Sequence, residues 1–320
     1  MKALAHAVAL ALLCLSPGGT QADTAPGQPP EFAGVAEWLN SPPLTMAGLR
    51  GKIVLIDFWA YSCINCLRAL PHVEHLYQTY KDNGLVVVGV HTPEFDFEAN
   101  PANVQAAIRR LGITYPVALD SRGKTWRAWH NQFWPAEYLI DQNGRLIGHH
   151  YGEGAYGIME NAIRVLLGLG PLPAGAGAPA PAPNAGDTPE LHLGSVTRSG
   201  LDSSEVNDGG NGMHRFSAPG QPAINHYAMS GRWEITDEYA RLAGSQGEVK
   251  LRFKAAKVYV VASAAQPVTL QVTVDGKPQP TVIVQGSRLY TLYDGVAGGE
   301  HVLVLHVPQK GLQVYSFTFG

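Results

Sequence analysis

The sequence predicts an α/β domain followed by an all-β antiparallel sandwich, and three observations carry that expectation. Before residue 171 short apolar runs alternate with helical stretches, and after residue 189 only strand-like runs remain. Between them lies a segment of little but Pro, Ala and Gly. Strand–helix alternation builds an α/β fold with helices on both faces of a sheet, whereas closely spaced period-two strands build an antiparallel sandwich. The chain has 320 residues, a length suited to two domains at about 150 residues each.

The first segment reads as a signal for export. Met1-Lys2, the apolar run Ala3 to Leu15 and the small-residue stretch ending at Ala22 have the basic start, apolar middle and cleavable end of a secretory signal peptide. The expected boundary places residues 1–22 in the signal and 23–170 in the α/β domain, destined for the periplasm or the exterior. Leu13 stands before Cys14 where a lipoprotein would need a small residue, so ordinary cleavage is expected. The apolar run is too short to span a bilayer.

In the α/β domain, Ile53 to Phe58 and Leu85 to Val90 are short, apolar and β-branched, as buried strands are. A helix is expected from Cys63 to Lys81, and another from Asn100 to Leu111, with Asn100 as cap and Pro101 at its first position. A strand at Tyr115 to Leu119 and a short helix at Lys124 to His130 follow. Two strands then flank Asp141-Gln-Asn-Gly144, whose Asn-Gly is a hairpin turn signal. An amphipathic helix from Tyr156 to Leu167 closes the domain. Residues 171–189 form the linker, expected to run extended because they cannot bury a core. In residues 190–320 strands are expected at Val249–Phe253, Lys257–Val261, Val268–Val274, Thr281–Val284, His301–Val307 and Gln313–Phe319. Asp275-Gly276 and Gly298-Gly299 are hairpin turns between them.

Composition narrows the function classes. With 26 acidic and 23 basic side chains the net charge is −3, and no run of Lys and Arg marks a surface for nucleic acid or an anionic membrane. Loss of the signal leaves two cysteines, Cys63 and Cys66, in a compartment where disulfides persist. Two cysteines three apart at a helix start can close a disulfide within one turn. The first sulfur faces the unpaired N–H groups and positive dipole end of the helix, which stabilise negative charge there. Cys63 is therefore expected to attack a partner disulfide and Cys66 to resolve the mixed disulfide. A purely structural bridge would close too short a loop to constrain much chain. A zinc site would need His72 and His75, which on one helix stand roughly 9 and 13 Å beyond Cys66, against bonds of about 2 Å. The redox reading is favoured, and it calls for no metal and no cofactor.

Asp57-Phe58-Trp59-Ala60-Tyr61-Ser62-Cys63-Ile64-Asn65-Cys66 resembles the active-site stretch of thioredoxin, with Pro71 at the place of that family's helix proline. Trp134-Pro135 stands where the family has its cis-proline. The span from Asn100 to Leu119 resembles the insertion of the exported, TlpA-like branch. Trp38 to Leu44, Tyr61 to Leu67 and His91-Thr-Pro-Glu-Phe95 resemble the periplasmic part of DipZ-type proteins. In that family the thioredoxin-like domain precedes a β-sandwich similar to a carbohydrate-binding module or jelly roll. Many relatives carry a membrane electron carrier at the amino terminus, where this chain has its signal-like segment.

The resemblance implies roles residue by residue. Asp57 is implied as the proton acceptor for Cys66, although Leu85 to Val90 lacks the Lys that accompanies it in thioredoxin. Pro135 is implied to be cis, positioning substrate and leaving the backbone of Trp134 free to pair with an extended segment. Trp134 and Tyr61 are candidate walls of the partner surface, and Glu94 is expected to face solvent. Ala69 replaces the Glu that cytochrome-maturation members tend to have, which weakens apocytochrome c as substrate. Ala60 stands where a peroxidatic site would have Thr, which argues against a peroxidase. The implied activity is thiol–disulfide exchange with protein thiols and disulfides, leaning to reduction, with a membrane thiol–disulfide electron donor. The alternatives are an oxidase or isomerase, or an envelope protein that binds glycan or protein through Trp233, Tyr239, Tyr259, Tyr290, Tyr293 and Tyr315.

Overall fold

A computed structural model describes residues 27–173, 186–202, 210–217, 220–296 and 299–320. The signal segment, most of the linker and Gly298 of the last expected turn lie outside these residues.

The first domain is a six-stranded sheet formed by β1 (Trp38–Leu39), β2 (Ile53–Trp59), β3 (Leu85–His91), β4 (Val117–Leu119), β5 (Ala136–Ile140) and β6 (Leu146–Tyr151). Its order is β1-β4-β3-β2-β5-β6, with β2, β3 and β4 parallel and the other pairings antiparallel. The helices are α1 (Ile64–Tyr80), α2 (Pro101–Leu111), α3 (Lys124–Ala128) and α4 (Tyr156–Leu166). Every residue of β2 is buried, which explains its unbroken apolar run around one carboxylate. Strand alternation divides it between two cores. Leu55 and Trp59 join Cys66, Leu70 and Val73 of α1 on one face, while Val54, Ile56 and Phe58 join Trp129 and Tyr138 on the other.

Local chemistry sets the ends of these elements. α2 starts where Asn100 Oδ1 accepts the Ala102 N–H at 3.0 Å, and it stops at Gly112, whose φ of 70° suits glycine. The β5–β6 turn is held by Asp141, whose carboxylate accepts from the N–H groups of Asn143 and Arg145, both at 2.9 Å. Cys63 caps α1 rather than starting it, the strand expected from Tyr115 begins at Val117, and the helix expected to reach His130 ends at Ala128.

The second domain is a curled antiparallel sheet. Its strands are β7 (Leu191–His192), β8 (Gly212–Phe216), β9 (His226–Ile235), β10 (Ala240–Phe253), β11 (Lys257–Ser263), β12 (Val268–Val274), β13 (Lys277–Pro278), β14 (Val282–Val284), β15 (Arg288–Asp294), β16 (His301–Val307) and β17 (Gln313–Phe319). The sheet closes over one core that includes Trp233, Phe253, Leu303 and Phe317. The sequence reading missed β7, β8, β9, β13 and β15, and it gave only the second half of β10.

The two domains touch beside the CxxC segment. Phe95 and Phe97, in the loop after β3, set their rings 5.1 and 4.8 Å from that of Tyr315 on β17. Val261, Tyr239 and Leu289 complete this small apolar cluster. The backbone N–H of Asp96 donates to the Glu238 carboxylate at 3.0 Å.

Candidate active site

Cys63 sits where β2 hands the chain to α1. Its Sγ accepts the backbone N–H of Cys66 at 3.3 Å, so the sulfur itself caps the helix. Both thiols are free, Cys63 half-buried and Cys66 2% exposed. Burial pushes the Cys66 thiol well above its ordinary range, and the hydrogen bond and charge of Cys63 push it the same way. The pair is therefore unequal: one sulfur is reachable and bonded to the helix end, the other is shielded one turn deeper.

The Trp134–Pro135 peptide is cis and precedes β5. Cys63 Sγ lies 3.9 Å from the Trp134 carbonyl oxygen, while the Trp134 indole donates to the Thr92 carbonyl at 3.1 Å and lies against Trp126. A cleft of about 400 Å³ opens beside it, lined by Thr92, Pro93, Glu94, Trp126, Trp134 and, from the second domain, Glu238. Pro71 lies inside α1 and withholds one backbone donor there.

Asp57 is 2% exposed on β2, on the face that carries Cys66. Burial raises its carboxyl to about 7, and its Oδ1 has no hydrogen-bond partner among the described residues. Opposite it in the antiparallel register stands Glu137 of β5, 4% exposed and raised to about 8 by burial and by the Asp57 charge.

Tyr61 is not at the partner surface. It is 1% exposed, stacked at 5.6 Å on His91 and tilted against Phe97. The ring belongs to the core of the first domain, with Phe97 packed against that core. Glu94 likewise departs from expectation. It is half-buried, and its carboxylate, that of Glu190 and the His192 ring lie within 4.8 Å of one another across the domain boundary. This is a set of donors that could take a divalent cation. Burial raises Glu94 well above the usual carboxylate range, with Glu190 and Cys63 adding to it. Of the aromatic residues expected to offer faces to sugars, Trp233, Tyr290 and Tyr315 are buried at 0%, 5% and 4% exposure.

Sequence reasoning missed three residues of this site. Glu98 is fully buried, and its carboxylate accepts from Ser62 N at 3.0 Å, Ser62 Oγ at 2.8 Å, Glu94 N at 2.8 Å and Phe95 N at 3.2 Å. It thus ties the residue before Cys63 to the loop on which the second domain rests. His91 is held neutral, pushed down to about 3 by burial. Glu137 is the third, and only its cross-strand register reveals it.

Thiols so placed on a sheet of this order mark a thioredoxin-like thiol–disulfide protein. The AhpC/TSA family matches residues 30–149, and a family described as the thioredoxin-like C-terminal domain matches residues 188–320. Protein DipZ of Mycobacterium bovis is 41% identical over 313 residues, covering 95% of this chain and 44% of that protein. The chain thus spans less than half the length of this relative. Thiol-disulfide oxidoreductase YkuV of Bacillus subtilis is 33% identical over 129 residues, 40% of this chain and 85% of that protein. Thiol-disulfide oxidoreductase ResA of Halalkalibacterium halodurans is 30% identical over 118 residues, 37% of this chain and 64% of that protein. The chain belongs with the thiol–disulfide oxidoreductases and is a homologue of DipZ, with an AhpC/TSA-type thioredoxin-like domain over residues 30–149 followed by a thioredoxin-like C-terminal domain over residues 188–320.

Proposed function

We propose that the chain is an exported thiol–disulfide oxidoreductase that reduces the disulfides of protein substrates, and the inequality of its two thiols is the observation that carries this reading. Cys63, half-buried and capping α1, attacks one sulfur of the substrate disulfide. The backbone beside cis-Pro135 aligns an extended substrate segment, and Trp134 forms a wall of the cleft that receives it. Cys66, buried behind it, then displaces the reduced substrate and closes the Cys63–Cys66 disulfide. Asp57 takes the Cys66 proton, a role its burial and raised pKa suit. A membrane thiol–disulfide carrier returns the electrons. Residues 1–22 support export, and residues 23–170, 171–189 and 190–320 are taken as redox domain, linker and β-domain.

Reduction of insulin driven by dithiothreitol tests the reading. Cys63→Ser abolishes turnover, and Cys66→Ser accumulates mixed disulfides visible on non-reducing gels. Full activity of the Cys63 variant would contradict it. Equilibration with glutathione gives the direction: a potential below about −200 mV suits a reductase, whereas one near −120 mV indicates an oxidase or isomerase. The glycan-binding alternative is disfavoured by the burial of three of its expected aromatic platforms.

A further inference from the structure

Asp57 does not stand alone under Cys66. It and Glu137 are direct cross-strand partners of β2 and β5, so their side chains leave the same face of the sheet, about 5 Å apart at Cβ. That face is the one covered by α1, where Leu55, Trp59 and Leu139 pack with Cys66. Both carboxyls are buried, and each keeps one oxygen, Asp57 Oδ1 and Glu137 Oε2, without a hydrogen-bond partner among the described residues. Cys66 of α1 interacts with Asp57, Tyr115 before β4 with both carboxyls, and Tyr156 of α4 with Glu137, and none of the three is a cation. Two carboxylates so placed cannot both ionise near neutrality. One of the two keeps its proton.

We propose that Glu137 is a second proton acceptor for Cys66, sharing one proton and one negative charge with Asp57 so that either carboxyl can serve the resolving thiol. The inference rests on the reading of Cys63 as attacking and Cys66 as resolving thiol. In the step, the Cys66 S–H gives its proton to the singly charged pair, which becomes neutral. The Cys66 thiolate attacks Cys63 in the mixed disulfide, forming the Cys63–Cys66 bond and breaking the bond to the substrate sulfur. That sulfur leaves with the electron pair and takes a proton from solvent. The dithiol is oxidised and the substrate disulfide reduced. The raised values at both carboxyls, about 7 and about 8, place this exchange in the neutral range.

The full chain, reduced and mixed with 5,5′-dithiobis(2-nitrobenzoate), forms an adduct at Cys63 and releases a second thionitrobenzoate when Cys66 resolves it. The rate of that second release against pH is the readout. Asp57→Asn and Glu137→Gln each slow it by less than about tenfold and keep an acid limb, whereas the double variant slows it by more than about a hundredfold and loses the limb. Asp57→Ala and Glu137→Ala repeat the comparison should an amide variant fail to fold. If Glu137→Gln adds nothing in the Asp57→Asn background, Asp57 acts alone and the inference is overturned. An adduct that forms first on Cys66 sinks the underlying reading instead, so the two failures are distinguishable.

Discussion

At the residue scale, Asp57 and Glu137 make stability depend on pH. Their folded values, about 7 and about 8, lie above the ordinary 3.8 and 4.5. Their contribution is therefore fully present below pH 4 and is lost as pH rises through 7 to 8, on the order of a few kcal/mol. His72 and His91, pushed down to about 4 and about 3 by burial, act in the opposite sense, losing stability as pH falls below their unfolded value. Urea midpoints measured from pH 5 to pH 9 should fall on the alkaline side, and Glu137→Gln should flatten that fall. Parallel curves for the two proteins would contradict the burial of an ionisable pair. Asp57 was legible in the sequence because a carboxylate interrupting Ile53-Val-Leu-Ile and Phe58-Trp59 has no solvent to face. Glu137 was not, because Ala136-Glu-Tyr-Leu-Ile140 reads as a half-exposed strand. Only its position between β2 and β6, under α1 and α4, buries the second face.

At the element scale, the first domain was legible nearly element by element, because caps and turns write its boundaries locally. Asn100 is the clearest case. Its Oδ1 satisfies the Ala102 N–H, and Pro101 follows where a missing donor costs nothing. Asn100→Ala should cost about 1 kcal/mol in urea denaturation and leave the rate of thiol alkylation unchanged; an unchanged urea midpoint would show that α2 is held by packing alone. In the β-domain the missed strands have a physical pattern. β9 includes His226, Ser230, Gly231 and Arg232, so apolar alternation does not define it. It is fixed by pairing on both sides, with β8 and β10. Gly231 has φ 102°, and a Cβ there would stand 2.9 Å from the Gln246 carbonyl oxygen, which explains a glycine inside the strand. β15 could have been read from inward-facing Tyr290 and Leu292.

At the scale of the whole molecule, the contact between domains is the part no single sequence exposes. Asp96 N and Glu238 meet although 142 residues apart, and no periodicity or turn signal encodes such a meeting. Its consequence reaches the thiols by a short path: Tyr315 fixes Phe95 and Phe97, their loop holds Glu98, and Glu98 binds Ser62 immediately before Cys63. Tyr315→Ala removes the ring from this cluster and leaves a cavity, a loss of about 3 kcal/mol. Hydrogen exchange should then quicken at the amides of Ser62, Glu94 and Phe95, which depend on Glu98, and of Asp96, which depends on Glu238, while the amides of β2 and β5 keep their protection. Alkylation of Cys63 should change several-fold in the same protein, since the residue before it has lost its tether. Unchanged exchange at Ser62 together with unchanged alkylation would mean that the β-domain is a passenger on the redox domain rather than a part of its site. Glu238→Ala, which removes only the partner of Asp96 N, should move the same amides in the same direction by less.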